Sequence, residues 1–153
     1  AAALGLVEGP IHAELRVQGD RAAVLELAAR SIGGLCSRAL RFGLGLSLEE
    51  IILRHALNLP LRHRGRPWPA SGVMMIPVEG RGMREAVKGQ DEALAVSGVL
   101  GLSVTVPPGS AVEPMPKGDR YLGFIFASGE SPAEVESSLR MAHSRLEVVL
   151  APG

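Results

Sequence analysis

Apolar and polar residues alternate over positions 11–17, close to the start of the chain. The apolar positions are Ile11, Ala13, Leu15 and Val17, and the polar ones between them are His12, Glu14 and Arg16. A polar turn over residues 18–21 follows, and residues 22–28 form a second short apolar run. Two such runs around a turn containing glycine predict a β-hairpin.

The segment after the hairpin changes from strand-like to helix-like patterning. Residues 31–44 begin with glycines and continue with apolar residues, which indicates a loop leading into a helix. Ser47, with Glu50 three residues later, forms a capping box that predicts the start of a further helix. This helix should run through Ala56 and end at Asn58 and Pro60.

The second half of the chain is rich in predicted strands, over residues 72–78, 83–87, 99–106 and 121–127. A short helix is expected around residues 91–95. Ser131, Pro132 and Glu134 have the pattern of a helix start, and an apolar stripe at helical spacing follows. The stripe consists of Val135, Leu139, Ala142 and Leu146. The predicted fold class is therefore α+β.

Residues 61–71 are polar, basic and interrupted by prolines. Such composition is typical of a linker, so a domain boundary is expected there. The predicted domains are residues 1–66 and residues 67–153. A phosphate site on the basic residues of this segment is an alternative, but a solvated linker explains them more simply.

Composition and charge exclude several classes of protein. Lys plus Arg and Asp plus Glu both number 16, and this zero net charge argues against a nucleic-acid binder. One cysteine, Cys36, makes no internal disulfide and excludes a zinc site built from several cysteines. The sequence shows neither a membrane-spanning apolar run nor a signal peptide. We expect a cytoplasmic protein with no membrane partner, and the lack of an initiator methionine suggests a piece of a longer chain.

Two glutamates of the predicted hairpin are the first candidates for chemistry. A turn centred near residue 20 places Glu14 directly opposite Glu26. Like charges at such close positions destabilise a sheet, and a divalent cation bound between them would remove the conflict. A register shift of one residue would instead put the two carboxylates on opposite faces.

A possible anion site follows the second strand. Arg30 lies four residues after Glu26, and Ser31, Gly33 and Gly34 come next. Small residues with exposed backbone N–H groups can form an anion-binding nest beside a metal. Taken one at a time, these residues are also compatible with solvent-facing glutamates, a surface arginine and an ordinary loop. Their combination, in this order, favours a phosphate-handling site.

These residues resemble a known family. Ile-His-Ala-Glu-Leu-Arg, a turn, and Val-Leu-Glu-Leu-Ala-Ala-Arg-Ser-Ile-Gly-Gly resemble the end of the ATP-grasp catalytic domain. In that family two acidic residues on adjacent strands hold magnesium, and the second opens a Glu-x-Asn-x-Arg motif. The His-x-Glu opening and the Gly-Gly pair look most like the L-amino-acid ligase branch, which includes dipeptide and carnosine synthases. Residues 109–129 and the final helix resemble the C-terminal domain of such ligases.

The resemblance implies an ATP-dependent carboxylate–amine ligase that forms an acyl phosphate and then an amide or dipeptide bond. It implies that Glu14 and Glu26 hold Mg²⁺ (or Mn²⁺), and that Arg30 contacts the transferring phosphate. Arg30, Gly33 and Gly34 would bind the nucleotide phosphates, and His12 could contact a substrate. The family's asparagine position is Ala28 here, and an alanine cannot ligate metal.

The resemblance also sets the domains and partners that we expect. Residues 1–66 would complete the ATP-grasp catalytic domain, and residues 67–153 would form the C-terminal domain. The partners would be the rest of the same ATP-grasp chain and small carboxylate and amine substrates, and a homodimer is possible. Because the sequence shows no glycine-rich nucleotide loop, we expect this fragment to be inactive alone. The alternative is a non-catalytic module for substrate binding or oligomerisation.

Overall fold

The computed structural model describes residues 1–42, 45–61 and 70–152. The chain divides into two compact units, Ala1–Trp68 and Pro69–Gly153, which are described separately. Antiparallel sheets and a few helices make up the structure, so the predicted α+β class is confirmed. The predicted boundary after residue 66 lies outside the described residues.

The described part of the first unit contains two small hairpins, one α-helix and two short 3₁₀ turns, over Ala2–Leu4 and Cys36–Ala39. Its elements are β1 (His12–Gln18), β2 (Arg21–Ala28), β3 (Arg41–Phe42), β4 (Leu46–Ser47) and α1 (Leu48–Ala56). β1 pairs with β2, and β3 pairs with β4, both antiparallel. The predicted first hairpin is confirmed, and it is the element that carries the candidate site.

The prediction of a helix within residues 31–44 is wrong for residues 31–42, the part that the structure describes. Only one short 3₁₀ turn forms, over Cys36–Ala39, and no side chain caps its start at Leu35. The chain then extends into β3, and Gly45, with a φ of 89°, leads into β4. A glycine in the left-handed region favours the reversal of a hairpin over the continuation of a helix.

Helix α1 begins where the capping box predicts. The Ser47 hydroxyl accepts a hydrogen bond from the Glu50 backbone N–H at 3.1 Å. The Glu50 carboxylate does not complete the box, because it forms an ion pair with Arg54 at 2.8 Å, one turn along the helix. The start of this helix is therefore capped by the Ser47 side chain alone, which is one of the two hydrogen bonds of a capping box.

The second unit has two three-stranded antiparallel sheets. Its elements are β5 (Ala70–Ile76), β6 (Gly82–Lys88), α2 (Gln90–Leu94), β7 (Val99–Val104), β8 (Ala111–Val112), β9 (Gly123–Gly129), α3 (Pro132–His143) and β10 (Glu147–Ala151). One sheet has the order β5-β9-β7 and the other the order β10-β6-β8. Strands β8 and β10 are not predicted from the sequence.

The hydrophobic core of the described chain lies in the second unit. Ile76, Leu122 and Ile125 have fully buried side chains. Helix α3 packs on β5 and β9 and buries Val135, Leu139 and Ala142, as its apolar stripe predicts. The fourth predicted member, Leu146, lies beyond the end of the helix and packs against the core partly buried.

The close approach of two backbone segments in the second unit requires a glycine at position 89. Gly89 has a φ of 76°, and a Cβ there would overlap the carbonyl oxygen of Arg145. We expect Gly89→Ala to lower the free energy of unfolding by at least about 2 kcal/mol, from left-handed strain plus the backbone clash. Urea unfolding followed by circular dichroism measures the effect.

Gly101→Ala is the matched control for this substitution. Gly101 lies in β7, and a Cβ there meets no atom within 4 Å. Alanine should stabilise this position by up to about 1 kcal/mol, since glycine in a strand loses more backbone entropy on folding. Equal stability of the two variants would contradict the role given to Gly89.

Candidate functional site

Glu14 and Glu26 lie opposite each other across β1 and β2, so the predicted pairing is confirmed. Near the turn the register is Leu15 with Val24, which continued without interruption would set Glu14 against Leu25. Glu26 would then lie on the other face of the hairpin. A β-bulge between Glu14 and Leu15 adds one residue to β2 and brings Glu26 opposite Glu14.

Each of the two carboxylates has a basic neighbour. Oε1 of Glu14 lies 3.4 Å from Nε2 of His12, and Oε1 of Glu26 lies 3.6 Å from Nη2 of Arg30. Arg30 also donates a hydrogen bond from Nη1 to the Ser31 carbonyl oxygen at 3.1 Å. Both glutamates and Arg30 are exposed, so these contacts contribute little to stability and leave the carboxylates accessible to a ligand.

The chemistry of this pair fits a magnesium ion. Mg²⁺ commonly takes one or two protein carboxylates and fills its remaining positions with water and substrate phosphate oxygens. Within residues 1–42, 45–61 and 70–152, no three or more His, Cys, Asp or Glu side chains form a metal-binding group. The hairpin therefore offers a site that phosphate and water would have to complete, and not a closed protein cage. Ala28 lies opposite His12, on the side of Glu26 away from the turn.

The segment after Arg30 leaves backbone groups accessible. Gly33 and Gly34 are exposed, and Gly34 has a φ of 64°. In the described part of the chain, the N–H groups of Gly33 and Gly34 donate no backbone hydrogen bond. Free N–H groups beside an arginine are what an anion nest needs. Arg30, Gly33 and Gly34, the predicted phosphate-binding residues, all follow the end of β2 at Ala28.

His12 contacts Glu14 and also lines an apolar pocket. Its side chain is only 22% exposed. A pocket of about 560 Å³ is lined by His12 together with Ile11, Ser31, Ile52 and His55, among others. Ligand sites in proteins are commonly apolar cavities of roughly this size with a few polar groups. His12 thus connects this apolar pocket to Glu14.

The second unit contains another concave site, which the sequence patterns do not reveal. A pocket of about 540 Å³ is lined by Arg81, Glu113, Lys117, Asp119 and Arg120, among other residues. Arg120 donates two hydrogen bonds to Asp119, at 2.7 and 2.9 Å. Those hydrogen bonds also hold the pKa of the Asp119 carboxyl below its ordinary value.

None of the described helices is long and apolar enough to cross a membrane.

A family profile described as "L-amino acid ligase C-terminal domain 2" matches residues 74–151, which is just over half of the chain. The crystal structure of an L-amino acid ligase from Bacillus licheniformis is similar over 98% of this chain, with 29% identity and a TM-score of 0.82. Our chain covers 38% of that protein. A search of curated proteins finds no significant match.

Two synthetases of lower identity share the fold. N5-carboxyaminoimidazole ribonucleotide synthetase from Thermotoga maritima matches over 92% of this chain, at 19% identity and a TM-score of 0.66, and this chain covers 37% of it. Phosphoribosylglycinamide synthetase from Anaerococcus prevotii matches over 98%, at 13% identity and a TM-score of 0.75, with 39% of its length covered. The chain therefore belongs to the L-amino acid ligase C-terminal domain 2 family and has the fold of the C-terminal part of ATP-grasp ligases.

Proposed function

We propose that this chain is the C-terminal part of an ATP- and Mg²⁺-dependent ligase that joins a carboxylate to an amine. Residues 1–66 would complete the ATP-grasp catalytic domain, and residues 67–153 would be its C-terminal domain. The observation that carries the proposal is the pairing of Glu14 with Glu26, with Arg30 held 3.6 Å from Glu26. Membership in the ligase family supports the reaction class.

The acidic pair and the groups near it would have separate roles in phosphoryl transfer. Glu14 and Glu26 hold Mg²⁺ (or Mn²⁺), which when bound neutralises charge on the phosphates of ATP. Arg30 stabilises the negative charge that develops on the transferring phosphoryl group, and the N–H groups of Gly33 and Gly34 donate to phosphate oxygens. A substrate carboxylate oxygen attacks the γ-phosphorus, giving an acyl phosphate and ADP. The amine nitrogen of the second substrate then attacks the acyl carbon, and phosphate leaves as the amide forms.

His12 is proposed to contact a substrate. Its ring reaches Glu14 on one side and borders the apolar pocket on the other. A substrate side chain in that pocket would place its polar groups near the two carboxylates. His12 would then hold the substrate and orient Glu14 at the same time.

The exposed apolar surface of the first unit is an argument for a larger partner that would cover it, namely the rest of its own ATP-grasp chain. Among the described residues of this unit, Ala39 is the one buried hydrophobic side chain. Val17 and Val24, on the face of the hairpin opposite Glu14, are 69% and 64% exposed. A hairpin with both faces in water is marginal on its own, so additional polypeptide against this face would stabilise it.

The alternative function, a non-catalytic module for substrate binding or oligomerisation, is favoured by two of the same observations. The apolar hairpin face would also suit a subunit contact, including a homodimer. Ala28 at the family's asparagine position weakens the case for a complete metal site. A measurement of metal binding at the acidic pair distinguishes this alternative from the ligase proposal.

The test is Mn²⁺ binding to the ¹⁵N-labelled chain, followed by paramagnetic broadening of backbone amide signals. We expect weak binding, with broadening concentrated at the amides of β1 and β2. Replacing both carboxylates, in Glu14→Gln/Glu26→Gln, should abolish this localised broadening, because Mn²⁺ needs anionic oxygen ligands there.

Glu85→Gln/Glu92→Gln is the matched control, since it removes the same charge from two exposed glutamates of the second unit. This control should bind Mn²⁺ at the hairpin as the unmodified chain does. Broadening that is absent from the hairpin, or that persists in Glu14→Gln/Glu26→Gln, would contradict the metal site and favour the non-catalytic module.

A further inference from the structure

A further pocket of the second unit is lined by the loop after β5, the end of α3 and strand β10. These segments contribute, among others, Pro77, Glu79 and Gly80 from the loop, His143 from the helix, and Val148 and Leu150 from the strand. The pocket has a volume of about 260 Å³. Since sites for drug-sized ligands are roughly 300–1,000 Å³, this pocket fits a smaller molecule.

The apolar part of this pocket rests on the hydrophobic core. Ile76 is fully buried and belongs to the core cluster, and Leu146, Val148 and Leu150 pack against that cluster partly buried. A Cβ on Gly80 would lie 2.9 Å from Cδ1 of Leu150, so the loop approaches β10 more closely than a larger residue would allow without a shift of that leucine. A pocket that is supported in this way is formed before a ligand arrives, which reduces the entropy cost of binding.

Glu79 and His143 are the polar side chains of the pocket. Glu79 is exposed, and His143 is half-buried. Within the described residues, neither side chain forms a hydrogen bond or an ion pair. The carboxylate oxygens accept hydrogen bonds, and a neutral imidazole has one nitrogen that accepts. Two acceptors beside an apolar wall are therefore available to a ligand that carries a donor group.

The charge around this pocket favours a cation. Glu79 supplies a full negative charge, and α3 ends at His143, where the aligned peptide dipoles leave partial negative charge. Arg140, the other basic residue in the last turn of α3, forms an ion pair with Glu136 at 2.8 Å. Among the described residues that line the pocket, none is a lysine or an arginine. A bound anion would therefore meet repulsion without a compensating positive charge.

We propose that this pocket binds a small aliphatic monoamine in its protonated form. The ammonium group would donate charge-assisted hydrogen bonds to the Glu79 carboxylate and to the His143 imidazole. The alkyl group would contact the apolar wall at Val148 and Leu150. A carboxylate on the same ligand would lie close to Glu79 and be repelled, so the pocket selects a simple amine. The site lies in the second unit and does not use Glu14 or Glu26, so a failure of Mn²⁺ binding leaves this proposal intact.

The test is a titration of the ¹⁵N-labelled 153-residue chain, followed by the backbone amide shifts of Gly80 and Val148. The probes are 3-methylbutylamine, its neutral analogue 3-methylbutanol, and L-leucine, which is the same amine with an added carboxylate. A solution at about pH 8 keeps an aliphatic amine protonated and an ordinary imidazole neutral. 3-Methylbutylamine should bind at least about tenfold more tightly than either of the other two probes, because only it combines a net positive charge with the apolar chain.

Two variants test the polar side chains separately. Glu79→Gln should weaken binding of 3-methylbutylamine by about tenfold, the loss expected for one charged hydrogen bond. His143→Phe keeps an aromatic ring but removes both nitrogen atoms, and it should weaken binding by about fivefold. Glu92→Gln is the matched control, because it neutralises an exposed glutamate of the same unit outside the pocket, and it should bind as the unmodified chain does.

Unchanged amide signals from the core residues Ile125 and Leu139 show that each variant is folded. Equal affinity for the amine and the alcohol, together with full binding by Glu79→Gln, would overturn the proposal. Amine-induced shifts confined to other parts of the chain would also overturn it. So would the absence of shifts at Gly80 and Val148 at an amine concentration about a hundredfold above a dissociation constant of ~1 mM.

Discussion

Arg30→Ala in the full-length protein is expected to lower kcat for ligation by about a thousandfold. Arg30 extends from the end of β2 past Glu26, and its guanidinium is 55% exposed, free to turn toward a bound phosphate. The loss should fall mainly on kcat, with KM for ATP changed far less, because the charge that we propose Arg30 stabilises develops in the transition state. Steady-state release of ADP and phosphate, with a carboxylate and an amine substrate present, measures it.

Two further variants make the Arg30 result specific. Arg30→Lys should recover only part of the activity, since an ammonium group cannot replace the planar, bidentate contact of a guanidinium with phosphate. Arg38→Ala removes another exposed arginine of the same unit, from the 3₁₀ turn, and should leave kcat unchanged. A kcat for Arg30→Ala within about tenfold of the unmodified enzyme would show that Arg30 does not act on the transferring group.

The pairing of Glu14 with Glu26 was predictable from the sequence, but the β-bulge that produces it was not. Alternation along residues 11–17 assigns Glu14 to the polar face, and a turn near residue 20 predicts the pairing with Glu26. In the structure the turn consists of Gly19 and Asp20, which alone would pair Glu14 with Leu25. The β-bulge supplies the missing residue. The sequence of β2 does not reveal the bulge, because residues 22–25 are all apolar and show no alternation.

The errors in the fold prediction come from segments too short or too mixed to carry a period. Strand β8 has two residues, and no alternation can be recognised over that length. Leu146 matches the helical spacing of α3, which hides the helix end at His143 and the start of β10 at Glu147. The segment after Gly34 has apolar residues but no capped start, and tertiary pairing of β3 with β4 replaces the predicted helix there.

The pocket of the second unit could not be predicted because its charged residues are distant in sequence. Arg81 precedes β6, and Lys117 lies in the loop after β8. They line one pocket only because β6 and β8 pair at Gly82 and Val112. Sequence patterns describe one element at a time, whereas this site depends on a long-range strand pairing.

The second large effect that we expect is on stability, and it should occur for a substitution in the second unit but not for one in the first. Ile125→Ala should lower the free energy of unfolding of this chain by about 2–5 kcal/mol, the range for truncating a buried aliphatic side chain. Ile125 is 0% exposed and lies in β9 between Met74 of β5 and Leu102 of β7. Its removal leaves a cavity at the centre of a three-stranded sheet, where neighbouring strands cannot collapse into it. Urea unfolding of the chain, followed by circular dichroism, measures the difference.

Val17→Ala is the matched comparison, because it truncates an aliphatic strand residue of the first unit that is 69% exposed. In this chain it should change the unfolding free energy by no more than about 0.5 kcal/mol, as surface substitutions do. In the full-length protein the same substitution should cost about 1 kcal/mol or more, if the rest of the ATP-grasp chain covers this face of the hairpin. A cost that stays near zero in both would show that nothing packs on Val17, and the Glu14–Glu26 hairpin would then have to hold its geometry without that support.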